Sequence, residues 1–360
     1  MGRHVSAVAL RWAIVIPASL GLGWLFTLWH LPASWILAAI VVAGACALIT
    51  GEDLPLNKGV NVFGRSMIAI LAALPLLDAP VAQLLRYLLP GLLVSLITVG
   101  IGVAGGIMLS RSQKAISPET GVLSMLAGGA SVMTVLAQQL GADYRYVTLS
   151  QYLRLLVVSI SLPLVTHLFV PGTGGAGRVR PEGLEVFGLG EVEASIGIVV
   201  ILGIVVVGEP LGRLLRLPAP AVLGPLLCTV VVGALFPVDL EPPTPFVIIA
   251  FLSIGWMCGG ALNMPALRVF SRQLPATFAF IFVLLGLCAA TAAVLSRWLG
   301  ISYFEAYLAT SPGALETVLA LSSEGAAGPV VVTIQIIRLL SILAIAGWLP
   351  GILRLILPRR

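Results

Sequence analysis

The fold predicted by this sequence is an all-α polytopic membrane protein. It has about ten crossing helices plus two broken or re-entrant segments, set in two inverted repeats. Composition, the spacing of apolar runs and an internal duplication carry that prediction. Of 360 residues, 59% are hydrophobic and 10% charged, and the mean hydropathy is +1.09. Soluble domains carry about 25% charged residues, so this stock cannot build a water-facing surface.

Apolar runs come first. They lie at 8–29, 33–49, 62–77, 88–109, 119–140 and 147–170, and again at 194–208, 219–236, 246–262, 275–299, 303–321 and 330–353. Runs near 20 residues separated by short charged loops read as membrane helices. The basic, apolar start "MGRHVSAVALRWAIVIPASLGLGW" has no convincing small-residue cleavage site after it and reads as a first membrane helix.

The duplication follows from three matches in one order. "LPASWILAAI" at 31–40 matches "LPAPAVLGPL" at 217–226, "YLLP" ending at Pro90 matches "RQLP" ending at Pro275, and "QYLRLL" at 151–156 matches "QIIRLL" at 335–340. The offset stays between 184 and 186 residues. A first membrane repeat is therefore expected over 1–170 and a second over 194–360. The glycine-rich stretch "PGTGGAGRVRPEGLEVFGLGEVE" at 171–193 reads as the linker between them.

Loop charge bears on topology, because Lys and Arg favour the cytoplasmic side. If all twelve runs cross, twelve basic residues fall inside and six outside; if the fifth run of each half turns back, the tally becomes fourteen and four. The second arrangement inverts one repeat relative to the other and is the one favoured. It puts both termini in the cytoplasm of a cell with a single or inner plasma membrane. The net charge of +5 is then a topological signal, and no basic stripe with interleaved aromatics marks a nucleic-acid site.

The fifth runs carry breakers. "LATSPGALETVLAL" at 308–321 places Pro312 and Gly313 mid-segment, just after Ser311. Proline removes a backbone donor and disfavours helix just before it. "SMLAGGASVMTVLAQQL" at 124–140 has Gly128 and Gly129 instead. Backbone released at membrane depth is tolerated against protein or a wet cavity, and broken helices between inverted repeats are where secondary transporters bind solutes and ions. The plainer alternative is a kink in a packed helix.

These residues resemble the AbrB family of bacterial membrane proteins, whose halves are each an AbrB duplication. The family pattern is a break like S-P-G-G-L-x-E-M-T, followed by a helix with arginine in an R-L-L context. The second half keeps Ser311, Pro312, Gly313, Leu315 and Glu316; the first keeps Gly128, Gly129, Ser131, Met133 and Thr134, with Val132 where an acid is expected. Arg154 and Arg338 fit the following helix in both halves. The resemblance implies labels as different as regulator of gene expression and ammonia monooxygenase. Its architecture is similar to that of cation/proton antiporters and anion transporters, a likeness of fold alone.

Arg338 lies near the middle of its run, where an arginine costs roughly 2.5–3.5 kcal/mol on insertion scales. Two readings stay open for it. It binds a substrate anion or keeps a carboxylate ionised, or it ties the break by bonding freed carbonyls. Arg154, seven residues into its run, has the further option of snorkelling to the interface. Gln151 and Gln335 stand three residues before each arginine and so share its helix face. They either line a pore or pack against a neighbour. Glu316 stands at the start of a half-helix, where the dipole favours its charge. It is a candidate coupling carboxylate, with a fixed ion pair to Arg338 as the alternative. Ser131 and Thr134 could supply neutral ligands in the other half.

Cys46, Cys228, Cys258 and Cys288 fall in different runs without a CxxC, and His4, His30 and His167 form no metal motif. A monooxygenase needs a metal or flavin held by such ligands or by a dinucleotide fold, so no cofactor and no enzyme activity is expected. "GIGVAGG" at 100–106 lies within an apolar run, where close helix packing explains it better than a nucleotide loop. The expected function is secondary transport of a small organic, anionic solute with proton or cation coupling. The partners are the lipid bilayer, the solute and the coupling ion, and a homo-oligomer is compatible with this. A membrane-embedded regulator of gene expression is the first alternative, an oxidoreductase the second.

Overall fold

The computed structural model describes residues 2–29, 31, 33–113, 115–126, 133, 136–138, 140–169, 192–217, 219–236, 238–261, 268–313, 315–325 and 327–356. Fourteen helices and no strand occur among them. In chain order they are α1 (Gly2–Leu28), α2 (Ser34–Thr50), α3 (Lys58–Leu77), α4 (Val81–Arg86), α5 (Leu88–Ser112), α6 (Pro118–Met125) and α7 (Tyr144–Phe169). After the linker come α8 (Val192–Leu214), α9 (Pro220–Leu235), α10 (Thr244–Gly260), α11 (Leu274–Leu299), α12 (Tyr303–Thr310), α13 (Leu315–Glu324) and α14 (Pro329–Ile356). Of the expected linker at 171–193, only the last two residues are described, and they open α8.

Among the described residues, five helical stretches are long and apolar enough to cross a membrane: Val8–Leu28, Lys58–Leu77, Val81–Ser112, Ile196–Leu214 and Leu274–Leu299. Ser34–Thr50, Pro220–Leu235 and Thr244–Gly260 are apolar but shorter. Pro329–Ile342 is a further apolar stretch of this shorter kind, and the all-helical, apolar character thus holds.

The chain forms two compact units, and each draws elements from both sides of the linker. The first contains Met1–Pro80, Ile160–Asn263 and Glu316–Val332. Inside it α2 lies against α10, because two glycines let the backbones touch. A Cβ added at Gly255 would stand 2.5 Å from that of Ala39, and one at Gly259 would stand 2.9 Å from the Gly44 nitrogen. Trp256 caps this core, donating to the Ser19 hydroxyl at 3.0 Å and meeting Trp12 edge-on with ring centres 5.2 Å apart.

The second unit contains Val81–Ser159, Met264–Leu315 and Thr333–Arg360. Here the glycine-rich run of α5 packs on α6. A Cβ at Gly106 would lie 2.6 Å from both the Gly121 oxygen and the Val122 nitrogen, and one at Gly102 would lie 3.2 Å from the Met125 oxygen. Val99, Val122, Leu123, Leu126, Met133, Val147 and Ile342 form one apolar cluster. Tyr146 anchors another, sharing a 2.6 Å hydrogen bond with Thr277 and an edge-on contact with Phe270.

Candidate functional site

The second unit holds two short helices built alike. Both α6 and α12 have eight residues, and both are N-capped by a serine whose side chain accepts a backbone N–H: Ser117 from Thr120, Ser302 from Glu305. The caps stand 185 residues apart. Glu305 completes a capping box by bonding back to Ser302. Both helices stop in extended backbone, at Leu126 (φ −65°, ψ 128°) and at Ser311 (φ −57°, ψ 132°). After Ser311 the chain stays non-helical through Pro312 and Gly313 before α13 begins, so the second break lies where its proline and glycine place it.

A helix end leaves its last carbonyls without intrahelical donors. At α6, Gln151 Nε2 of α7 donates to Leu123 O at 2.7 Å and Leu126 O at 3.0 Å. Arg154 Nη1 donates to Leu126 O at 2.9 Å and Met125 O at 3.3 Å, while its Nη2 donates to Gln151 Oε1 at 2.7 Å. At α12, Gln335 Nε2 of α14 donates to Leu308 O at 2.6 Å. Arg338 Nη1 donates to Ser311 O, and its Nη2 to Gly313 O at 3.3 Å. Each guanidinium therefore sits at the negative end of a helix dipole, where a cation is favoured.

Arg154 is 2% exposed and Arg338 4%, so Arg154 does not snorkel to an interface. Cys288 of α11 is buried as well. Thr310, beside the break, donates to the Cys288 carbonyl at 3.1 Å and so fastens α12 to α11. Among the described residues no carboxylate forms an ion pair with either arginine. Three buried atoms here have no hydrogen-bond partner among the described residues: Arg154 Nε, Gln335 Oε1 and Ser311 Oγ.

Glu316 lies in the first compact unit, in the first turn of α13. Its ion pair is with Arg65 Nε of α3, at 3.5 Å, and Arg65 Nη2 reaches Met257 Sδ at 3.2 Å. Gly128, Gly129, Ser131 and Thr134 lie outside the described residues. Sequence reasoning missed Arg65, although a lone arginine inside an apolar run was a usable signal. It also missed Glu324, whose place just past the run at 303–321 gave none.

The family model described as "Transition state regulatory protein AbrB" matches residues 35–356. The chain is similar to "Putative regulator AbrB" of Escherichia coli (strain K12), with 30% identity over 335 residues, 93% of this chain and 94% of that protein. It is also similar to "Uncharacterized protein YhjN" of Bacillus subtilis (strain 168), with 24% identity over 362 residues, 96% of this chain and 92% of that protein. With duplicated caps, a broken fifth segment in the second half and arginines in matching positions, this chain belongs to the AbrB family.

Proposed function

We propose that this protein is a multi-pass inner-membrane secondary transporter of a small organic anion, with the break-capping arginines supplying the positive charge of its site. In this reading 1–170 and 194–360 are inverted repeats joined by the linker, both termini are cytoplasmic, and the chain is not an enzyme. The carrying observation is that Arg154 and Arg338 are both buried, each at the end of a short helix, and neither has a carboxylate ion-pair partner among the described residues. Two helix C-termini offset about half an elementary charge each. Roughly one positive charge is left over, and a buried uncompensated charge is costly. A monovalent anion meets that demand. Arg154 Nε and the Ser311 hydroxyl, which have no hydrogen-bond partner among the described residues, are the donors proposed to hold it.

Glu316, paired loosely with a half-buried arginine, is the proposed site for a coupling proton or cation. Counterflow of labelled organic anions into liposomes carrying the purified chain tests the reading. Flux is expected from wild type and its loss from Arg338→Ala; unchanged flux in that variant removes the arginine from the site. A second reading, regulation of gene expression from within the membrane, rests on the relatives' names. Ligand binding without flux, joined to an expression change on deletion, favours it.

A further inference from the structure

Glu324 ends α13, three residues beyond the apolar run that closes at Leu321. Its Oε1 accepts the Ala33 backbone N–H at 2.7 Å. Ala33 precedes α2 in the left-handed region, at φ 54° and ψ 36°, a conformation that residues with a Cβ rarely adopt. The side chain as a whole is half-buried, yet its Oε2 is shielded from solvent and has no hydrogen-bond partner among the described residues.

Among the described residues, no Lys or Arg forms an ion pair with this carboxyl. No residue of α2 is charged, and the chain after α13 reads Gly-Ala-Ala-Gly. Glu316, at the far end of α13, pairs with Arg65. His30, three residues before Ala33 in sequence, lies outside the described residues. One backbone N–H is a weak substitute for a counter-ion. Burial accordingly pushes the carboxyl up to about 7. The matching stretch of the first half, Gln138, Gln139 and Leu140, contains no acid.

We propose that Glu324 is a proton-binding site, taking its proton on Oε2 while Oε1 keeps the bond to Ala33. Hydronium gives the proton to Oε2 and leaves as water; the reverse step returns it to water. Ionised, Oε1 makes a charge-assisted bond to the turn ahead of α2; protonated, it makes a weaker neutral one. The proton thus sets how firmly the half-helix after the break holds that turn. The link to solute flux rests on the transport reading above, but the binding of the proton does not.

The test is an infrared titration of the purified full-length protein between about pH 5 and 9, well above the ordinary carboxyl range. It follows the C=O stretch of protonated carboxyls in wild type, Glu324→Gln, Glu316→Gln and His30→Asn. One carboxyl is expected to titrate near neutrality in wild type, Glu316→Gln and His30→Asn, and to vanish in Glu324→Gln. Its persistence in Glu324→Gln, or its absence from wild type, overturns the proposal. If Glu324→Gln does not fold, Glu324→Asp serves: the same band must shift, and an unmoved band is equally fatal. A titrating carboxyl in a protein that moves no solute sinks the transport reading and leaves this one standing.

Discussion

Arg154 and Arg338 occupy equivalent places 184 residues apart, and each donates Nη1 to the first carbonyl beyond a short helix, Leu126 O or Ser311 O. Glutamine three residues earlier serves the carbonyls one turn back in both cases. The duplication therefore repeats a chemical solution as well as a hydropathy pattern. Each of these short helices ends inside the protein, and one glutamine and one arginine from a later helix satisfy its end.

The cap accounts for a measurable part of the stability. Gln151→Leu removes the donor from Leu123 O, and an orphaned buried acceptor costs about 1–3 kcal/mol. Thermal unfolding in detergent should show a lower midpoint for Gln151→Leu and for Gln335→Leu. Ser66→Ala, whose buried hydroxyl has no hydrogen-bond partner among the described residues, should leave it nearly unchanged. Equal midpoints for all three would remove the capping role.

Close packing of α5 on α6 gives a sharper contrast. Gly106→Ala puts a Cβ 2.6 Å from a backbone oxygen, so α5 must move, at about 1–3 kcal/mol or more. Gly105→Ala, one residue away, meets nothing within 4 Å, and alanine is the better helix former by about 0.8–1.0 kcal/mol. Folded yield and midpoint should fall for the first and hold or rise for the second. The reverse order would refute this packing.

The Arg65–Glu316 pair is long and its arginine is 31% exposed, so it is not a structural lock. A double-mutant cycle of Arg65→Gln and Glu316→Gln should give a coupling energy below about 1 kcal/mol. A coupling of several kcal/mol would make the pair a fixed element of the fold and leave Glu316 unsuited to exchanging a proton or cation.

If the two repeats are inverted, Arg213, in the last turn of α8, and Arg268 face the cytoplasm. In a chain whose four native cysteines are replaced, Arg213→Cys and Arg268→Cys should react with an impermeant thiol reagent only when it is supplied from the cytoplasmic face. Labelling from the opposite face restores twelve parallel crossings.

Element positions were legible because apolar length and breaker residues act locally. The run at 303–321 with Pro312 and Gly313 became α12, a gap and α13. The apolar run from 147 places Arg154 seven residues into its segment, with snorkelling open to it. Its helix starts at Tyr144, ten residues before it, and so puts the guanidinium about 15 Å along the axis, near the end of α6. Tyr144 and Arg145 are polar enough to look like loop, which hid that extra turn. Partner choice was not legible. That Glu316 meets Arg65 and that Glu324 meets Ala33 are tertiary facts, set by helices 251 and 291 residues away in sequence.

Anion-dependent thermal stabilisation of the purified protein measures most directly whether the twin guanidinium groups bind a negative ligand. A panel of small monocarboxylates and dicarboxylates is compared with neutral analogues in wild type, Arg154→Gln and Arg338→Gln. A ligand at about 100 times its Kd stabilises the folded state by about 2.7 kcal/mol. At least one monovalent anion should raise the wild-type midpoint, its neutral analogue should not, and either variant should lose the shift. No response to any anion, or an equal response in wild type and both variants, would leave the arginines as helix caps and nothing more.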